Sequence, residues 1–406
     1  MIDRLGGGLA ALALSAVALA GLAHADAASD GPFAAAAERI SGSTDHRDPT
    51  RLTAGLWSDE LAPSDEGHFF AYDRVEENTT VHFAAFAAAG AGDSITIETF
   101  AGDVSCGSAS ASSPYSSNGP ERVFGATVLI GKQGSSDDCV NQREGLRIVV
   151  SRGGSTGDLD PLPIRIKVVE EQRLADQQEH LDPERGSLPE PPDVDPSFAA
   201  PDGSTTREIR QGEVQYVPVD LDWGEGLDVE ATTASMAEQK IDTGFSGPEL
   251  TVDLLSPLGV PIDDGLADGD PAESLSSDTS TTVTAGLAPV GYRNRFTSDL
   301  PYLPGRYWVV VSLSGAAADA EPVQISYRLR VGANGKRSGV PTYRGGDRPF
   351  LIGPDTWATD PSGATNAAAE SVDGSWTSTR RWAAVGLGLV GVLCVALGGS
   401  RLIWRG

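Results

Sequence analysis

"GLRIVVSRGGSTGDLDPLPIRIKVV" (residues 145–169) and "GRYWVVVSLSGAAADAEPVQISYRLRV" (residues 305–331) are the two stretches on which the reading of this chain turns. In each, a glycine (Gly145, Gly305) opens an apolar run holding a Val-Val pair, and a loop of small and acidic residues follows. A proline comes next (Pro161, Pro322), with an isoleucine three residues on (Ile164, Ile325) and strict alternation beyond it. The Gly-to-Pro spacings differ by one residue, so the chain reads as an internal duplication. Alternation with period two and no helical period means half-buried antiparallel strands. Ile164, Ile166 and Val168 are expected to face one way, with Arg165 and Lys167 toward solvent.

The first stretch also contains the letters Gly-x-Ser-x-Gly, with Ser155 in the nucleophile's place. A nucleophile elbow needs a strand, a strained turn and then a helix, so that an oxyanion meets backbone amides at the helix start. Here Asp158, Asp160, Pro161 and another strand follow. The second copy keeps the strand on each side and fills the loop with "LSGAAADAE", losing the pattern. Ser155 therefore reads as a turn residue in a hairpin, and no catalysis is expected of this chain.

The duplication extends toward the N-terminus of each copy. "GHFFAYDRV", "VHFAAF" and "SITIETF" answer to "GEVQYVPVDL", "LDVEAT" and "ELTVDLL". Each copy reads as three early strands, a variable middle and a closing hairpin, and is long enough to bury a two-sheet core of its own. The expected fold is all-β: two tandem antiparallel β-sandwich (jelly-roll-like) domains with a C-terminal transmembrane helix. The first domain is placed at residues 49–171 and the second at 203–333. A flexible N-terminal segment (26–48) precedes them, a Pro/Glu-rich linker (172–202) joins them, and a stalk (334–380) follows.

The ends set the expected compartment. "LGGGLAALALSAVALAGLAHA" follows Arg4 and ends in Ala23-His24-Ala25, the pattern of a signal peptide spanning residues 1–25. "WAAVGLGLVGVLCVALGGS", between Arg381 and Arg401, carries no charge. At ~1.5 Å per residue it nearly spans a hydrocarbon layer of roughly 30 Å. Residues 381–401 are thus expected to anchor the chain in the lipid bilayer, with residues 402–406 as a cytoplasmic tail. Arginines balance the two flanks, so the signal peptide gives the orientation: a single-pass cell-membrane protein, N-terminus outside, its bulk extracytoplasmic.

A formal charge of −27 over 406 residues argues against nucleic acid as a partner, since phosphates are met by Lys and Arg. Of the three cysteines, Cys394 lies in the apolar C-terminal run, while Cys106 and Cys139 lie in the exported part, where an oxidising compartment favours a disulfide. A two-cysteine metal site is the rival, but neither cysteine has a second ligand at metal spacing. Asp263, Asp264, Asp268 and Asp270, in "IDDGLADGDPAES", offer oxygens of the kind calcium takes, without EF-hand spacing. Calcium is the one cofactor candidate. His46, His68, His82 and His180 show no pairing at ligand spacing, and His82, alternating with Val81 and Phe83, is expected to face solvent. Tyr292, Phe296, Tyr302, Tyr307 and Trp308 could present a sugar-stacking face, against which stands core packing of Tyr307 or Trp308.

"LTAGLWSDELAPSDEGHFFAYDRVEENTTVHFAAF" (52–86) and "STTREIRQGEVQYVPVDLDWGEGLDVEAT" (204–232) resemble the opening of bacterial pre-peptidase C-terminal-like domains, and "PGRYWVVVSL" their closing strand. With "DWGEG" and "LAPVGYRNR", the chain is similar to the exported part of actinobacterial membrane-anchored surface proteins associated with von Willebrand factor A domains. The resemblance implies β-sandwich modules that bind or position something and perform no chemistry. It also implies a protein partner at the cell surface, one carrying a von Willebrand factor A domain, since this chain departs from the larger proteins in lacking that domain. The nearest approach to its metal motif is "DTSTT" at Asp278, with Thr282 in the last place. The expected function is extracytoplasmic binding in company with another exported or membrane protein. The alternatives are a carbohydrate- or calcium-binding cell-wall module and, remotely, a secreted serine hydrolase.

Overall fold

The computed structural model describes residues 31–33, 37–63, 67–89, 92–113, 120–131, 137–154, 160–175, 204–239, 247–262, 271–296, 300–314, 321–344 and 350–352. All belong to one compact unit, residues 1–360. The strands of the first half are β1 (Glu38–Arg39), β2 (Thr50–Leu52), β3 (Gly55–Leu61), β4 (His68–Tyr72), β5 (Thr80–Ala89), β6 (Asp93–Ala101), β7 (Val104–Ser112), β8 (Arg122–Ile130), β9 (Leu146–Gly154) and β10 (Leu162–Glu171). A short helix, α1 (Asp137–Asn141), precedes β9. The second half supplies β11 (Thr205–Arg210), β12 (Val214–Leu221), β13 (Glu225–Thr233), β14 (Glu249–Leu255), β15 (Ala272–Ser274), β16 (Thr281–Leu287), β17 (Gly305–Leu313), β18 (Gln324–Gly335) and β19 (Phe350–Ile352).

These strands make four sheets. In the first half, β3-β10-β5-β8 faces β4-β9-β6-β7, with β1 and β2 added at the edges beside β3 and β4. In the second half, β11-β18-β13-β16 faces β12-β17-β14-β15. The two orders are the same once each strand is replaced by its counterpart eight places on, so the duplication seen in the letters is a duplication of topology. The closing pair of each copy is, however, no hairpin. β9 lies in one sheet and β10 in the other, and β17 and β18 divide likewise. Crossing between sheets lets Ile148 and Val150 of β9 meet Ile164 and Ile166 of β10 in the core, which a flat hairpin would put side by side in one layer. Val309 and Val311 join Ile325 and Tyr327 in the same way in the second core.

A third apolar cluster lies between the two sandwiches. Leu56, Ala84, Phe86, Val123 and Val169 come from the outer face of β3-β10-β5-β8. Tyr216, Leu255, Leu258, Val260, Leu303 and Val310 come from the second sandwich. The turn after β14 reaches furthest, with Gly259 at φ 83 lying so close to Phe86 that a Cβ would stand 2.6 Å from its ring. Side chains other than glycine's are excluded there both by backbone and by space.

This contact corrects three expectations of outward-facing residues. His82 and Lys167 are fully buried, and Arg165 is half-buried. Alternation does divide β5 and β10 into two faces, but the second sandwich covers the face that was expected to meet water. Lys167 Nζ donates to the Pro257 carbonyl across that contact at 3.0 Å, while Arg165 lies over the Phe33 ring.

The segments read as little able to bury anything also pack in part. Glu38 and Arg39 pair in parallel with β3, and Phe33 meets Phe86 edge-on at 5.4 Å between ring centres. At the other end, Tyr343 is buried, Ala175 and Arg344 exchange backbone bonds with Thr342 and Arg173, and β19 pairs with Glu170 and Glu171 of β10. The expected signal peptide and transmembrane segment (381–401) lie outside the described residues. Among the described residues no helix is long and apolar enough to cross a membrane.

Candidate functional site

β10 ends in two adjacent carboxylates whose side chains serve opposite faces of the strand. Glu170 belongs to the first sandwich: it accepts hydrogen bonds from the Tyr72 hydroxyl at 2.5 Å, the Thr79 hydroxyl at 2.7 Å and the backbone amides of Val75 and Glu76 at 3.0 and 3.2 Å. Beside it, the Arg74 guanidinium gathers carbonyls of Ile130, Cys139, Val140 and Gln142, which ties the strand β8 and the α1 region to the β4–β5 connection. Burial, and then Glu170, push the Tyr72 hydroxyl far above its ordinary value.

Glu171 faces the second sandwich. Arg295, on the 3-10 turn Tyr292–Phe296, grips it with both terminal nitrogens, at 2.5 and 3.0 Å. The Tyr343 hydroxyl donates to the same carboxylate at 2.6 Å, and His82 Nε2 approaches it at 2.9 Å. Tyr302 stacks on the His82 ring at 5.8 Å between centres, and the Arg295 guanidinium lies 3.5 Å from the centre of the Tyr292 ring. The side chains of Glu171, His82 and Arg295 are each exposed by 1% or less.

Such a group can stay charged out of water only if it is paired and hydrogen-bonded, and here the pairing decides the ionisation. Burial alone would raise the Glu171 carboxyl, but the Arg295 charge and the hydrogen bonds from His82 and Arg295 overcome it and hold it at about 2. Burial pulls the His82 imidazole below its ordinary value, and Arg295 adds to that, against the carboxylate's opposing pull. His82 is therefore neutral at neutral pH, with Nε2–H donating to Glu171. Its Nδ1 is buried and finds no hydrogen-bond partner among the described residues. Burial pushes the Tyr292 hydroxyl up to about 12, so the phenols stay protonated as donors. A charge-paired cluster sealed from solvent and built from four separate segments can hold surfaces together.

The residues singled out from sequence fall differently. Cys106 and Cys139 form a disulfide with Cα atoms 5.5 Å apart, joining the edge strand β7 to α1. Ser155, His180 and the acidic group Asp263, Asp264, Asp268 and Asp270 lie outside the described residues. Among the described residues no group of three or more His, Cys, Asp or Glu side chains could hold a metal ion. His68 Nδ1 meets Asp59 Oδ2 at 2.6 Å, and that oxygen also accepts the Gly42 amide. His46 stays at the surface near Asp45. The carboxylate partners of His68 and His82 are supplied by the fold and not by spacing along the chain. Of the aromatic set, Tyr307 is buried, with its hydroxyl on the Leu303 carbonyl at 2.6 Å, while Tyr292 and Tyr302 turn toward Arg295. Asp278 sits in a turn whose amides are capped by Ser276. Sequence reasoning missed Glu171, Arg295 and Tyr343; "GYRNR" was noted only as a resemblance.

Fold and site together define an all-β protein of two β-sandwiches joined face to face through a sealed ionic cluster. No protein-family model matches the chain. No curated protein matches it either. Among solved structures it shows similarity to the CUB1-EGF-CUB2 domains of rat MASP-1, at 9% identity and a TM-score of 0.18, over 69% of this chain and 99% of that one. Another is the VP2 subviral particle of infectious bursal disease virus, at 13% identity and a TM-score of 0.19, over 74% and 72% of the two chains. Likenesses at this level carry no argument about function.

Proposed function

We propose that this chain is an outward-facing, membrane-anchored binding protein, without catalysis of its own, that works with another exported or membrane protein. Its two repeats have the strand order of jelly rolls, four strands facing four, a scaffold that presents loops and faces. The observation that supports the reading best is the use made of the Glu171–Arg295–His82 cluster. Three ionisable side chains, each exposed by 1% or less, join one sandwich to the other, which makes a stiff two-module body suited to presenting a surface at a distance from the membrane. The resemblance to pre-peptidase C-terminal-like modules and the expected anchor at residues 381–401 point the same way.

The test is extraction of the full chain from its native membrane in mild detergent after brief chemical cross-linking, followed by mass spectrometry of what is bound to it. One exported or membrane protein recovered in constant proportion is the expected result. Recovery of this chain alone, with and without cross-linker, overturns the reading.

A further inference from the structure

Three segments far apart in the chain converge on Glu171: His82 from β5, Arg295 from the turn after β16, and Tyr343 from the stretch after β18. Around them, Tyr292 and Tyr302 face the cluster from the second sandwich. At neutral pH the cluster sums to zero, one carboxylate against one guanidinium, with the imidazole neutral. The two sandwiches also have separate apolar cores, one running from Leu52 to Val168 and the other from Ile209 to Leu329, so neither core depends on the contact between them. We propose that the Glu171 cluster is an acid-released latch: it holds the sandwiches face to face at neutral pH, and protonation of His82 frees that face without unfolding either sandwich.

A proton on His82 adds a second positive charge beside Arg295 in a dry site that holds one negative charge. The closed form resists that proton because burial lowers the His82 pKa, while an opened, hydrated His82 takes it up near the ordinary value of ~6.5. As pH falls below that value, the open form binds one proton more than the closed form. The opening equilibrium then grows by up to about tenfold per pH unit. Glu171 acts in the same direction further down: its stabilising charge is fully present above an ordinary carboxyl value of ~4.3 and is lost as pH falls toward about 2. Acid therefore opens the contact in two stages, His82 first.

The experiment uses the full chain in detergent with a single reporter, Ala84→Cys, buried in the contact. Its accessibility is read with 4,4′-dithiodipyridine, which reacts with thiols in mild acid. The signal of Cys394 is subtracted from the parent chain, and far-UV circular dichroism tracks the sheets. Reporter accessibility is expected to rise by up to about fiftyfold between about pH 6.5 and pH 4.5 while the β signal is retained. In His82→Gln, which keeps a donor for Glu171 and cannot gain a proton, that rise is lost. Glu171→Gln leaves Arg295 unbalanced and is expected to open the contact already at neutral pH. Val310→Cys, on the facing strand β17, repeats the measurement should the first reporter fail to fold. An unchanged acid response in His82→Gln overturns the proposal, as does accessibility that appears only together with loss of the β signal.

Discussion

Lys167, Val169 and Glu171 stand in the same register beyond Ile164 on β10 as Arg328, Arg330 and Gly332 stand beyond Ile325 on β18. On the neighbouring strand, His82 and Ala84 of β5 correspond to Glu230 and Thr232 of β13. In the first sandwich all five positions are buried. In the second, Arg328 is exposed, Arg330 pairs with a partly exposed Glu230 at 3.2 Å, and Thr232 meets Thr282 at the surface. One topology thus carries two kinds of outer face. What differs is that the outer face of β3-β10-β5-β8 receives the second sandwich, while that of β11-β18-β13-β16 meets water. The inner faces, by contrast, match: Val81 and Phe83 correspond to Val229 and Ala231, all buried.

The contrast is broken most directly at its ion pairs. Arg295→Ala leaves the Glu171 carboxylate buried and unpaired and is expected to cost about 3–5 kcal/mol, seen as a lower urea midpoint for the transition that includes the contact. Arg330→Ala, at the pair on the open face, is expected to cost less than about 1 kcal/mol. Equal losses for the two would mean that the buried cluster stabilises no more than a surface pair. The next effect in size belongs to the disulfide, which only the first sandwich possesses. Cys106→Ser opens a loop whose ends are 33 residues apart, and the chain-entropy account gives about 3.7 kcal/mol. Melting of the variant followed by hydrogen exchange should show the loss in β7 and α1, with β12–β17 unaffected. A matching loss in the second sandwich would show that the two unfold as one. The smallest effect sharpens the comparison at a single atom. Ala84→Ser places a hydroxyl in the apolar contact at about 1–2 kcal/mol, whereas Thr232→Ser at the corresponding position should stay within about 0.5 kcal/mol.

Part of this contrast was already legible. "TVHFAAFAAA" of β5 is apolar almost without interruption, the mark of a strand covered on both faces, while "EGLDVEATT" of β13 alternates cleanly. His82 interrupts the first run, and its alternation with Val81 and Phe83 reads locally as period two, the pattern of a solvent-facing imidazole. Lys167 misled for the same reason: a lysine on an alternating strand is outside unless something covers it, and a local pattern carries no trace of what covers it. The disulfide was readable because a chain expected to be exported, with two cysteines outside its apolar run, leaves few pairings. The closing strands were readable as strands, but not as members of different sheets, since the alternation of β9 and β10 is the same whether they pair with each other or cross the core.

By itself, then, the sequence determined that this chain is a duplicated all-β protein, and where three early strands and the two closing strands of each copy fall, though not β3 and β11, which open the copies. Alternation, glycine turns and proline spacing are local, acting between residues a few positions apart, and a repeat of them is visible in the letters. Only the tertiary structure decided which outer face is buried and which carboxylate carries the junction. Arg295 reaches Glu171 across 124 positions and Tyr343 across 172. Charges so far apart in the chain become partners only when two finished sandwiches meet, because the energy that selects the pairing is desolvation, and desolvation exists only once both surfaces are in place.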